Sequence, residues 1–334
     1  MSPYASPSVG VRLDEGIASA VRMGLTSSPK WLPPWLFYDA AGSRLFEAIT
    51  ELPEYYLTRT ERSILAAHAP EMIAPAPAHT ANHLKLRITE LGAGSADKTR
   101  LLLRAAVERQ GTVRYEPLDV SASALRAARE RIEREFPAVS VAPQVVDYTR
   151  GNGSGLGLEP VESGERRLVL YIGSSIGNFE HEDAMRLLRR VREALRPGDG
   201  LLLGVDLVKE EHTLLAAYND AAGVTAAFNR NMLERLNHEL GANFDVDNFA
   251  HRAVWNRGAS RIEMHLESRY AQRVRLASLD LDVRFAQGET IHTENSYKYA
   301  PGLAEAMLVQ AGFKAEQCWM DERGWFAVCL GEVA

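Results

Sequence analysis

The chain has 334 residues, 46% of them apolar, and a formal net charge of −6. That length accommodates two hydrophobic cores, and the negative balance excludes the broad cationic face that nucleic acid or an anionic membrane requires. No stretch nears the roughly eighteen consecutive apolar residues of a membrane span, and Met1 to Val9 lacks a secretion-signal layout, so a cytoplasmic protein is expected. Two cysteines, Cys318 and Cys329, are too few for a disulfide scaffold or a thiolate-rich metal site and are expected to be buried free thiols. His79 and His83 lie four apart in a Pro/Ala/Asn-rich stretch rather than on a periodic helix, so no metal site is expected.

In chain order, the first notable segment is aromatic. It comprises Trp35-Leu36-Phe37-Tyr38-Asp39-Ala40-Ala41-Gly42-Ser43-Arg44-Leu45-Phe46-Glu47, then Leu52-Pro53-Glu54-Tyr55-Tyr56-Leu57-Thr58-Arg59-Thr60-Glu61. Such rings form packing surfaces, and they can also hold methylated ammonium groups by cation–π attraction. The apolar stretch Leu84 to Ile88 then predicts a strand, Gly92-Ala93-Gly94 a turn, and Arg100 to Glu108 a helix.

Val113 to Leu118 reads as a strand ending at Asp119, followed by a helix from Ser121 to Phe136. Val139 to Val146 predicts a third strand ending at Asp147, and the Gly151 to Gly157 run a surface loop. Arg167 to Ile172 is a fourth strand, closed by Gly173-Ser174-Ser175-Ile176-Gly177-Asn178. The helix His181 to Leu195 stops at Arg196-Pro197-Gly198, and Gly200 to Val205 is a fifth strand ending at Asp206.

The pattern then changes. Glu210 to Leu240 predicts one long helical region, and Phe244 to Val283 alternates as antiparallel strands do. A helix at Pro301 to Ala311 and strands at Lys314 to Met320 and Trp325 to Leu330 resume the first sheet.

The expected class is α/β: a doubly wound, Rossmann-like domain over 62–206 and 299–334. A smaller α+β domain is formed by 12–61 and the insertion 207–298. Ligand belongs beyond the carboxyl ends of the parallel strands, where Gly92, Asp119, Asp147 and the Gly173–Asn178 turn gather.

The turn Gly92-Ala93-Gly94-Ser95-Ala96-Asp97-Lys98 is not a dinucleotide fingerprint, because Asp97 and Lys98 fill the offset of its third small residue. A diphosphate therefore fits poorly. Asp119 stands where a carboxylate accepts ribose hydroxyls, and Asp147-Tyr148 where an acid and a ring can hold adenine. Lys98, a cation at a positive helix end, is explained by an anionic ligand such as a carboxylate. A ribose, an adenine and an amino-acid tail without phosphates describe S-adenosylmethionine. A Rossmann oxidoreductase and a catalytically silent binder of the same cofactor are the rival classes.

Four motifs in order resemble the histidine Nα-methyltransferases of ergothioneine biosynthesis. They are Tyr38-Asp39 with Gly42-Ser43 and Leu45-Phe46; Leu52-Pro53-Glu54-Tyr55-Tyr56 with Thr58-Arg59-Thr60-Glu61; Gly173 to Asn178; and Ala221-Ala222-Gly223-Val224-Thr225-Ala226-Ala227-Phe228-Asn229. The resemblance runs from about Gly24 to the C-terminus. It implies that Gly92, Lys98, Asp119, Asp147 and Tyr148 hold S-adenosylmethionine. It further implies that Asn178 and Tyr218 grip the substrate's amino and carboxylate groups beside Gly173, while Tyr38 and Phe46 surround the methylated nitrogen. Tyr55, Glu294 and Ser296 would bind the imidazole, with Met264 shaping its pocket.

The implied reaction is trimethylation of the α-amine of L-histidine, through its mono- and dimethylated forms, to hercynine, with Tyr38, Asn178 and Tyr218 nearest the chemistry. Asn295 and Ser175 depart from the common pattern without touching a proposed contact. The alternative is an N-methyltransferase of another aromatic amino acid such as tryptophan, disfavoured by Glu294 and Met264. No metal is expected, and the expected state is a monomer.

Overall fold

The computed structural model describes residues 15–74, 84–148 and 156–334. The segment Met1 to Val9, His79, His83 and the 151–155 part of the expected loop lie outside the described residues.

The predicted βα alternation is present. Strands β2 (Lys85–Leu91), β3 (Val113–Asp119), β6 (Glu165–Tyr171) and β7 (Gly200–Asp206) run parallel, in the order β7-β6-β2-β3. The short strands β4 (Val139–Val141) and β5 (Gln144–Val145) both pair with β3. They replace the single strand expected over Val139 to Val146, because Pro143 between them has no N–H to give the ladder. β13 (Lys314–Met320) and β14 (Phe326–Glu332) add an antiparallel edge against β7.

Alternate residues of these strands feed two cores. Leu168 and Leu170 face α3 (Tyr56–Met72), α4 (Thr99–Gln110) and α5 (Ala122–Glu135); Val169 and Tyr171 face α6 (His181–Glu193) and α9 (Leu303–Gln310). Helices on both faces make the sheet doubly wound.

A third core joins residues 17–57 to residues 214–291. It packs α1 (Glu15–Thr26), α2 (Ala40–Thr50), α7 (Glu211–Tyr218) and α8 (Val224–Leu240) against a sheet ordered β1-β12-β9-β8. These strands are β1 (Lys30–Trp31), β8 (Phe249–Asn256), β9 (Arg261–Ser268) and β12 (Thr290–Tyr297); the hairpin β10 (Gln272–Leu276) and β11 (Leu281–Phe285) completes the core.

Three expectations change. The helical region over Glu210 to Leu240 is two helices, because the Asp220 carboxylate accepts the Val224 and Thr225 amides at 2.9 and 2.8 Å and starts α8 afresh. The antiparallel run extends beyond Val283 through β12. The cysteines are not free thiols: Cys318 and Cys329 face each other across the β13–β14 ladder and form a disulfide. Strand register sets the two side by side, which spacing along the chain does not reveal.

Candidate active site

The aromatic segment is held by its own capping. Asp39 precedes α2 and its carboxylate accepts the Gly42 amide at 2.7 Å, while Asn231 of α8 donates to the same oxygen at 2.9 Å. This fixes Tyr38, just before the helix, and Phe46, two turns along it. Tyr38 meets Phe46 edge-on at 5.8 Å between ring centroids, Phe46 meets Tyr55 at 6.3 Å, and Phe228 of α8 lies 5.9 Å from both Tyr38 and Phe46. Four ring systems thus form one wall.

The opposite wall is a turn clamped to a strand. Ser174 adopts left-handed backbone (φ +58°), its hydroxyl accepts the Asp206 amide at 2.9 Å, and its carbonyl accepts Gly177 N–H at 2.9 Å. Gly177 is needed because a Cβ there would sit 2.9 Å from the Tyr297 carbonyl oxygen of β12. The turn therefore lies on β12 and points Asn178 at Glu294, with 3.3 Å from amide nitrogen to carboxylate oxygen.

β12 carries a bulge between His292 and Glu294. Ile291 and Thr293 are inward before it; Glu294 and Ser296 are inward after it, so the extra residue reverses the buried parity. His292 Nε2 donates to the Glu294 carbonyl at 3.0 Å and Thr293 Oγ1 to the Met264 carbonyl at 3.0 Å, which hold the bulge in place. Met264 is the ladder partner of Glu294 on β9.

All nine residues expected around the substrate line a single cavity: Tyr38, Phe46, Tyr55, Gly173, Asn178, Tyr218, Met264, Glu294 and Ser296. Burial pushes the Glu294 carboxyl up to about 7, with the Lys298 ammonium opposing the rise. Burial, reinforced by neighbouring negative or phenolic groups, raises the hydroxyls of Tyr38, Tyr55 and Tyr218 well above the ordinary tyrosine value. The three phenols stay protonated at neutral pH and act as donors, not bases.

Behind Tyr218 lies a polar cluster absent from the sequence expectations. Tyr218 and Ser296 share a hydrogen bond of 2.7 Å, and Lys298 donates to each at 2.9 Å. Lys298 also pairs with Asp206 at 2.8 Å. The other Asp206 oxygen pairs with Lys209 at 2.6 Å, while Tyr56 donates to Asp206 at 2.8 Å.

The crevice at the carboxyl ends of β2, β3 and β5 collects the second predicted set. Gly94 N–H and Ser121 N–H donate to the two Asp119 oxygens at 2.9 and 2.8 Å, fixing the carboxylate at the strand end. Gly92 has φ +70°, and a Cβ there would stand 2.8 Å from the Tyr148 hydroxyl, so only glycine leaves room between turn and ring. Asp147 and Tyr148 follow β5 after Val146.

Lys98 pairs with Glu61 of α3, which is buried beneath it. The Glu61 carboxylate also accepts Gly173 N–H, at 2.8 Å to one of its oxygens, so it ties the crevice to the cavity. The open glycine cradle, the ring and the fixed carboxylate fit a nucleoside bearing no diphosphate.

A family model described as histidine-specific methyltransferase, SAM-dependent, matches residues 17–333. The chain belongs to that family. The methyltransferase is 46% identical over 316 residues to the histidine N-alpha-methyltransferase of Mycolicibacterium smegmatis, covering 95% of this chain and 94% of the relative. It is 44% identical over 310 residues to the protein of the same name from Mycobacterium tuberculosis, covering 93% and 92%. It also matches ergothioneine biosynthesis protein 1 of Neurospora crassa at 36% over 217 residues, covering 64% of this chain and 23% of that longer protein.

S-adenosylmethionine is thus the methyl donor of this methyltransferase, as the crevice chemistry anticipated, and it supplies an electrophilic methyl group when bound. Residue reasoning missed Glu61, Phe228, Asp206 and Lys298. The first two sit inside motifs quoted above, without a role; Asp206 was visible only as a strand end, and Lys298 carried no signal.

Proposed function

We propose that the chain trimethylates the α-amino group of L-histidine, yielding hercynine for ergothioneine biosynthesis. One observation carries the reading: a buried carboxylate, Glu294, and an aromatic wall of Tyr38, Phe46 and Phe228 share one cavity beside the Gly173–Asn178 turn. Glu294, with Tyr55 and Ser296, takes the imidazole, and Met264 bounds the ring pocket. Asn178 and Tyr218 hold the amino-acid core, with Gly173 alongside, and aim the uncharged amine at the crevice.

Each methyl removes an N–H donor and leaves a more apolar cation, which the aromatic wall holds increasingly well. The protonated phenols of Tyr38, Tyr55 and Tyr218 accept no proton, so the one released per round leaves through water. Gly92, Asp119, Asp147 and Tyr148 hold the donor, and Lys98 acts there through Glu61.

The reading extends to the chain's organisation: residues 62–206 with 299–334 as the donor domain, and 12–61 with 207–298 as the substrate domain. It takes the enzyme as a cytoplasmic monomer. Among the described residues no helix is long and apolar enough to cross a membrane. Mass spectrometry of a reaction with histidine and S-adenosylmethionine should show successive gains of one, two and three methyl groups. No gain with histidine, or faster turnover of tryptophan in competition, would overturn the proposal.

A further inference from the structure

Among the described residues lining the cavity there is no lysine, arginine or histidine. Yet an amino-acid substrate brings a carboxylate, which a dry site receives poorly without a counter-charge. Beside Gly173 the Lys98 ammonium is already paired with Glu61, and a second positive charge stands one layer behind Tyr218. Lys298 has a side chain wholly removed from solvent, as does its partner Asp206, and Lys209 is almost as buried. Two ammonium groups against one carboxylate leave this cluster net positive.

Its hydrogen bonds give the positive charge a direction. The three Lys298 N–H bonds go to Asp206, Tyr218 and Ser296. Both hydroxyl oxygens therefore accept from the ammonium, and one of the two hydroxyl protons is used in the bond between them. If Ser296 donates to Tyr218, the Tyr218 proton is left free to point into the cavity, with a cation behind its oxygen.

We propose that Lys298 is a positioning residue that, with Ser296 bonded to the same phenol, polarises the Tyr218 hydroxyl into a donor for the substrate carboxylate. The inference rests on the histidine reading of the cavity and deepens it: Tyr218 touches the carboxylate, and Lys298 acts through Tyr218. The 4.7 Å approach of the ammonium to the Tyr218 ring adds to the same orientation.

The test is Lys298→Met, in which Asp206 retains Lys209 and Tyr56 as partners. KM for histidine should rise about tenfold or more, as for loss of a charged hydrogen-bond partner, with kcat nearly unchanged. Histidinamide, which lacks the carboxylate charge, should inhibit both enzymes equally, so the preference for histidine over histidinamide should fall by about the same factor. Lys298→Arg should restore part of that preference. An unchanged preference, or equal weakening of both ligands, overturns the inference while leaving the histidine reading intact. Should the Met variant fail to fold, Lys298→Gln, which keeps polarity and drops charge, carries the same comparison. A wild-type enzyme that leaves histidine unmethylated overturns the underlying reading and this inference with it.

Discussion

Glu294 is held in a state that weakens the empty fold, and Glu294→Gln should reveal it. The carboxyl titrates near 7 in the folded chain, against about 4.5 when solvated. A raised acid binds a proton more tightly folded than unfolded, so its contribution to stability is fully present below about pH 4.5. That contribution is lost as pH rises to about 7. At about 1.4 kcal/mol per pH unit, the ionised carboxylate costs the ligand-free protein about 3 kcal/mol above neutrality.

Glutamine keeps the oxygen that Asn178 addresses at 3.3 Å but cannot ionise. Urea unfolding of both proteins at pH 5 and pH 8 isolates the effect, because any packing cost of the amide appears at both values and cancels. Relative to wild type, the variant should gain about 2.5 kcal/mol between the two conditions, while losing activity on histidine. Parallel pH dependence of the two proteins would refute the placement of a buried, ionisable acid in the cavity.

Gly177→Ala would set a methyl 2.9 Å from the Tyr297 carbonyl oxygen and push the turn off β12. Stability should fall by about 1–3 kcal/mol and turnover at least tenfold; normal kinetics in the variant would refute the clamp. Glu61→Gln leaves Lys98 without its carboxylate while still accepting from Gly173 N–H. A loss of about 3 kcal/mol in urea unfolding is expected, and an unchanged midpoint would contradict it. Asp119→Ala removes the acceptor of the Gly94 and Ser121 amides. Titration calorimetry with the demethylated donor should show about tenfold weaker binding or more, and wild-type affinity would remove Asp119 from the donor site.

Much of the sheet was legible because strands such as β6 and β7 carry apolar blocks, Leu168 to Tyr171 and Leu201 to Leu203, and such runs announce themselves. The positions of Asp119 and Gly92 could be read for the same reason: they stand at or beside strand ends. The substrate cavity was legible only through motif resemblance. Its walls come from α2, the start of α3, the end of α7, α8 and β12, and no local pattern declares that Tyr38 and Glu294 meet.

The bulge that turns Glu294 and Ser296 inward hides in plain alternation, since one extra residue changes every subsequent side chain's face without changing composition. Lys298 was invisible because an isolated lysine reads as surface until a buried partner such as Asp206 is found. Lys98 shows the reverse: a local electrostatic argument demanded an anion, and its partner Glu61 on α3 is one that no spacing along the chain reveals. The disulfide was missed because strand register, which pairs Cys318 with Cys329, is a tertiary fact.

The bulged strand also gathers inward polar residues into a small piece of chain. Glu294, Ser296 and Lys298 alternate along five consecutive positions, whereas the donor crevice draws on other strands altogether. Under the proposed reading, the β12 residues that meet the ring and the residues that hold the donor lie in separate stretches of polypeptide. Grafting β12 together with its β9 partner Met264 is then a route through which a lineage, or a laboratory, can redirect the same alkylation chemistry to a different amine.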